Sequence, residues 1–237
     1  MTTGSKRIRL SKSKIAAFEH CPRRLWLQVH RREAGHFDAD TLARFKFGHD
    51  VGRRATFAMP NGILVHAKPD IQAALDHTAE LMACGPRQPI FEATFQHDGV
   101  LVRVDILEPD SFGAWRAIEV KASSRVRTYQ LADIATQIWV MQGCGVTITQ
   151  AVIRHLVSPI AWRRPDIEAL RFQDTDVTKA MRRYVATRES ATAAARITAQ
   201  GPEVMSEMGV HCRRPFSCEF QDHCAATFAF PLLQGVL

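Results

Sequence analysis

Residues 89–123, "PIFEATFQHDGVLVRVDILEPDSFGAWRAIEVKAS", carry the reading of the fold. Apolar and polar residues alternate here with a period of two, the pattern of strands that lay one face on a core. Three strands are expected, at about 90–97, 100–107 and 114–121. Asp98 and Gly99 between the first two are a hairpin signal, because a two-residue turn of the primed type needs positive φ at both positions. In "VLVRVDILE" (100–108) the alternation sets Leu101, Arg103 and Asp105 on one face, with Val102, Val104 and Ile106 on the other. In "AWRAIEVKAS" (114–123) it groups Ala117, Glu119 and Lys121 against Ile118 and Val120. Should these two strands pair as a hairpin, Asp105 and the Glu119/Lys121 pair share a face near one end of the sheet.

Helical periodicity surrounds this meander. "SKSKIAAFEHCPRRLWLQVHR" (11–31) predicts two short helices, capped at Ser11 and interrupted at Pro22. A further helix is expected over about 38–58, with Leu42, Phe45, Val51 and Ala55 turned mostly to one side. "GILVHA" (62–67) reads as a short strand and 70–85 as a helix stopped at Gly85 and Pro86. Beyond the meander a helix is expected at about 129–142, a buried strand at about 150–157, and one long Arg- and Ala-rich helix at about 176–199. With no internal repeat or low-complexity linker, the order implies one mixed α/β core.

Bulk composition narrows the class. A chain of 237 residues with 46% hydrophobic content can bury a real core, which argues against disorder. Its net charge of +7 favours a polyanionic partner. No apolar run reaches membrane-spanning length, and "MTTGSKRIRLSKSK" lacks the apolar stretch of a secretory signal, so a cytoplasmic protein with no membrane partner is expected. In that reducing compartment six cysteines suit metal ligation or burial better than disulfides. Cys84 and Cys144 have no comparable partners and read as buried small hydrophobes. Three of the remaining four stand in "CRRPFSCEFQDHC", as Cys212, Cys218 and Cys224 at even six-residue steps.

Two carboxylates and a lysine on adjacent strands have a specific chemistry. Carboxylates are hard ligands for Mg²⁺ or Mn²⁺, and such an ion polarises a phosphodiester and lowers the pKa of a bound water. A neighbouring ammonium orients that water and stabilises developing charge on phosphate. The plain structural alternative is that Glu119 pairs with Lys121 on a solvated face while Asp105 ends a strand.

The segment "VDIL" followed by "AIEVKAS" resembles the PD-(D/E)xK nucleases, and within them the RecB-like branch that includes the CRISPR-associated Cas4-like proteins. The resemblance covers about residues 9–226 and implies a single nuclease domain spanning 1–237. It implies a restriction-endonuclease-like core over about 40–200, a central mixed sheet flanked by helices, and cluster-forming ends at about 9–32 and 205–226. Asp105, Glu119 and Lys121 then become catalytic residues. "LADIATQIWVMQGCGV" (131–146) is similar to the branch's next helix, whose glutamine lies near the site and is matched by Gln137; Met141 stands where an aromatic is often found. Some members add a metal-binding histidine from an upstream helix. His49 is the nearest match, with Asp50 a weaker substitute.

"LSKSKIAAFEHCPRRLWL" (10–27) resembles the entry segment of branch members that hold an iron-sulfur cluster with one early cysteine and three late ones. By that resemblance Cys21 joins Cys212, Cys218 and Cys224 as ligands of a [4Fe-4S] cluster, with zinc the alternative for four thiolates. The C-x5-C-x5-C spacing departs from the best-known Cas4 pattern. The resemblance implies a nuclease acting on single-stranded DNA ends, in DNA repair or in CRISPR adaptation with the proteins of those pathways. The competing expectation is a binding module or partner subunit that keeps the fold without catalysis.

A path for DNA is expected from basic residues. Arg23, Arg24, Arg31 and Arg32 crowd the first helices, and Arg125 and Arg127 follow Lys121, where they would hold phosphates without reading sequence. Arg163, Arg164, Arg182 and Arg183 would extend the path, and Trp26, Trp139 and Trp162 offer either base stacking or core packing.

Overall fold

The computed structural model describes residues 9–67, 70–84, 87–111, 113–160 and 165–229. It divides into two compact units, one made of the residues up to Ala39 together with those from Glu189 onward, the other Asp40–Arg188. Among the described residues no helix is long and apolar enough to cross a membrane.

The terminal unit contains a two-residue strand, β1 (Leu10–Ser11), followed by α1 (Lys12–His20) and α2 (Pro22–His30). Ser11 caps α1 by accepting a hydrogen bond from the Lys14 amide, and Cys21 joins the two helices in an extended conformation with Pro22 at the first position of α2. The later part of the same unit holds α7 (Arg188–Gln200) and α8 (Gln221–Ala229).

The central unit is built on a mixed sheet. Its strands are β2 (Ile63–Leu64), β3 (Ile90–His97), β4 (Val100–Pro109), β5 (Trp115–Lys121), β6 (Ile148–Leu156) and β7 (Phe172–Asp176), in that spatial order. The β3–β4 and β4–β5 pairs are antiparallel, and β5–β6 is parallel. Asp98 (φ 44°) and Gly99 (φ 70°) make the expected tight turn between β3 and β4. The parallel β5–β6 step requires a crossover, supplied by α5 (Thr128–Gly143), whose Ile134, Ala135 and Ile138 are fully buried. On the sheet, Phe91, Ile106, Ile118 and Val152 form one core cluster. Phe47 and Val51 of α3 (Ala39–Phe57) pack with Leu156 and Leu170 in another. Helix α4 (Ile71–Cys84) lies between β2 and β3 in sequence. The result is a mixed α/β unit.

Three sequence expectations are corrected. On α3 the buried row is Phe47, Val51 and Ala55, at four-residue spacing, while Leu42 (54% exposed) and Phe45 (48%) face outward. The single long helix expected at 176–199 is instead the end of β7, then α6 (Thr178–Val185), then α7. The break falls at Ala186 and Thr187, where the Thr187 hydroxyl and the Arg188 guanidinium both donate to the Tyr184 carbonyl and so satisfy the end of α6. Cys144, expected to be buried, is exposed just past α5, and its thiol donates to the Gln96 carbonyl at 3.4 Å. The side chain of Cys84 and the stop at Gly85 and Pro86 lie outside the described residues, as do Trp162, Arg163 and Arg164.

Candidate metal-binding cleft and cysteine cavity

Register brings the acidic residues together. β4 and β5 pair Ile106 with Ile118 and Leu107 with Ala117, so Asp105 and Glu119 both come just beyond the last paired position, at the same end of the two strands. Asp105, Glu119 and Lys121 all line one cleft of about 640 Å³, whose other wall is α3 with Arg44, Phe45, Gly48, His49, Gly52 and Arg53. The Asp105 carboxylate also accepts a 2.7 Å hydrogen bond from the Val120 amide, tying it to the strand that carries Glu119 and Lys121.

Glu119 is almost wholly buried, and both of its oxygens are engaged. One lies 2.8 Å from the Lys121 ammonium, and the other accepts from the Gln137 amide of α5. Gln137 is itself buried, so it is not a polar residue on the outer face of its helix. Lys121 has a second carboxylate partner in Asp133, at 2.9 Å, one helical turn before Gln137. Burial alone would lower the lysine pKa, but Glu119 and Asp133 outweigh it and hold the group well above the ordinary lysine range. Lys121 is therefore a fixed ammonium rather than a base.

His49 is exposed on the cleft wall, and Asp50 is taken up by an ion pair with Arg53. Glu92, also in the cleft, has φ 57°, the left-handed region that non-glycine residues seldom adopt. The donors suit a hard divalent cation in kind, being two carboxylates and an imidazole on one cleft. Among the described residues no group of three His, Cys, Asp or Glu donors is drawn into a ready-made metal cage, here or elsewhere.

In the terminal unit, Cys21, Cys212, Cys218 and Cys224 line a single cavity. The Cys218 amide donates to the Cys212 carbonyl at 2.9 Å, so the backbone closes the first six-residue step, while the Cys224 amide donates to the Phe220 carbonyl at 2.9 Å at the start of α8. Burial pushes the Cys218 thiol up to about 11, helped by the negative charge of Glu219 and by Cys21. Burial likewise raises Cys224, with Arg23 opposing and Cys21 and Cys212 adding. Four sulfur donors lining one cavity fit a soft or borderline metal group, whose positive charge would offset the burial that raises Cys218 and Cys224.

Arg23 and Arg24 flank this cavity and do not form a DNA path. Arg23 is 2% exposed and paired with Glu203 at 2.8 Å; Arg24 pairs with Glu219 at 2.8 Å, donates to His20, and lies over the Phe216 ring. Gln28 takes the other Glu219 oxygen. Both guanidinium groups are largely shielded from solvent and their charge is compensated by a carboxylate, so neither presents a free positive surface to phosphate. Arg31, Arg32, Arg125, Arg127, Arg182 and Arg183 are exposed. Trp26 is fixed by a hydrogen bond to the Gly201 carbonyl and stacks on His30, while Trp139 meets His97 edge-on.

No family model and no curated protein matches the chain. A solved structure titled "Crystal structure of SSO0001" is similar over 86% of this chain and 90% of its own, at 10% identity and a TM-score of 0.37. Likeness at that level carries no argument for fold or function.

Asp133 is the site residue that the sequence reading missed. Its signal was present: Asp133 and Gln137 are four residues apart on one helix, so whatever Gln137 faces, Asp133 faces too. Among the described residues, two other cavities of similar size, about 520 Å³ beside Met82, Trp115 and Cys144 and about 540 Å³ beside Met208, Arg213 and Gln221, bring no carboxylate or lysine together.

Proposed function

We propose that the chain is a metal-dependent deoxyribonuclease with a restriction-endonuclease-like core, and that Cys21, Cys212, Cys218 and Cys224 hold a [4Fe-4S] cluster that ties the terminal segments together. The observation that carries this reading is that Asp105, Glu119 and Lys121, carried on neighbouring strands, line one cleft with Gln137 braced behind Glu119. Asp105 and Glu119, with His49, would hold Mg²⁺ or Mn²⁺. A bound ion of that type supplies a polarised phosphoryl oxygen and a water of lowered pKa.

The chain's own groups supply the rest. Lys121, paired with Glu119 and Asp133, donates hydrogen bonds to the attacking water or to a phosphoryl oxygen. Gln137 donates to Glu119 and fixes which lone pairs that carboxylate turns to the cleft. The choice of single-stranded DNA ends, exonuclease over endonuclease, and a place in repair or CRISPR-type processing rest on the sequence resemblance.

The test is degradation of labelled single-stranded DNA with Mn²⁺ by wild type, Asp105→Ala and Lys121→Ala. Each substitution is expected to lower the rate by about 10²- to 10³-fold. Mutants matching wild type would overturn the reading. One observation favours a second reading, a non-catalytic binding module: both Glu119 oxygens already have partners inside the protein. A wild-type protein that binds DNA and never cleaves it would select that alternative.

A further inference from the structure

The exposed face of α3 is unexplained by packing. Phe47, Val51 and Ala55 already anchor the helix, yet Leu42 and Phe45 stand in solvent a turn earlier. Two rows run along the cleft side of the helix at four-residue steps: Arg44, Gly48 and Gly52 in one, Phe45, His49 and Arg53 in the other. From Phe45 to Arg53 the helix advances about 12 Å, long enough to follow a chain rather than a single group. The Arg44 row is open at its glycines, since a Cβ at Gly48 or Gly52 would meet no atom within 4 Å.

Charge selects the occupant. Arg53 is 81% exposed, its pairing with Asp50 being an exposed one of the kind easily exchanged for phosphate, and Arg44 is exposed beside it. Two guanidinium groups flanking an exposed ring match a polyanion that carries flat bases. The cleft, about 640 Å³, lies in the size range of small-molecule sites.

We propose that the α3 wall of the cleft seats a single strand of nucleic acid, with Phe45 stacking on a base and Arg44 and Arg53 contacting phosphates. This strand track rests on the nuclease reading only for what happens at Asp105 and Glu119; binding itself stands apart. It replaces the route through Arg23 and Arg24, whose charges are spent inside the terminal unit.

The experiment is fluorescence anisotropy of a labelled oligodeoxythymidylate with the full chain in EDTA, where cleavage does not interfere. Phe45→Ala is expected to weaken binding by about 5- to 100-fold. Arg53→Ala is expected to lower the slope of log affinity against log salt by about 0.7, the value for one phosphate contact on a single strand. Gly52→Leu, which fills the open row without displacing protein atoms, is expected to abolish binding while circular dichroism stays unchanged. Asp105→Ala is expected to retain binding and lose cleavage, so a failed nuclease reading and a failed strand track give different results. Wild-type affinity and salt slope in all three α3 variants, or tighter binding to duplex than to single strand, would overturn the proposal.

Discussion

The Lys121 ammonium lies 2.9 Å from the Asp133 carboxylate and 2.8 Å from that of Glu119. A strand residue is thus clamped by a helix residue, and the lysine's position depends on how α5 docks on β5. Replacing Asp133 by Asn removes one charge-assisted hydrogen bond, worth about 1.5–3 kcal/mol. Cleavage by Asp133→Asn is expected to fall about 10- to 100-fold, with unchanged affinity for single-stranded DNA in EDTA. Single-turnover rates and anisotropy on the same preparation check both halves.

Arg24 is expected to be a stability residue. Arg24→Ala strips the buried Glu219 carboxylate of its guanidinium partner and leaves it the hydrogen bond from Gln28, at a cost of about 3–5 kcal/mol. Urea unfolding monitors that loss, while the salt dependence of DNA binding should not move. A smaller salt slope with unaltered stability would restore Arg24 to the DNA path.

Acid should loosen the last strand of the sheet. Burial would raise the Asp174 pKa, but hydrogen bonds and charge from Arg154 and Arg116 prevail and hold it below the ordinary carboxylate value. A carboxyl depressed by folding contributes stability above its unfolded pKa of about 3.9 and loses it as pH falls through the folded pKa. Thermal melts should therefore show wild type converging on Asp174→Asn below about pH 4, with a gap of about 2–4 °C above it for a contribution near 1 kcal/mol. A gap that widens on acidification would refute the assignment.

Protein purified anaerobically is expected to contain iron and sulfide, and Cys218→Ser to lose both along with thermal stability. Cys144→Ser, altering a thiol outside the four-cysteine cavity, should keep the full complement. Stoichiometric zinc without iron in wild type would assign the cavity to zinc.

What could be seen beforehand follows the range of each interaction. The β3–β5 meander was legible because one-sided burial writes a period of two into the residues themselves, and Asp98-Gly99 announces its own turn. β7 was not, since "FQDTD" holds a single apolar residue and owes its strand form to pairing with β6, including the Arg154–Asp174 contacts at 2.8 Å. The division between α6 and α7 is set by Thr187 and Arg188 against one carbonyl, a detail that helix propensity smooths over. Arg23 looked like a phosphate ligand because its partner, Glu203, stands 180 residues away. At the cleft, alternation supplied Asp105, Glu119 and Lys121, whereas the clamp from Asp133 depends on tertiary docking.

The margins of the sheet carry a further consequence. One border is the two-residue strand β2 and the other is β7, with Gln173, Asp174 and Asp176 along its length. A short border offers too few free amides and carbonyls to template another chain, and a border studded with carboxylates repels its own kind. Growth of the sheet by recruiting a foreign strand, the route to fibrils, is thereby discouraged at both ends, and the conspicuously polar composition that hid β7 from a sequence reader is what guards the molecule against self-association.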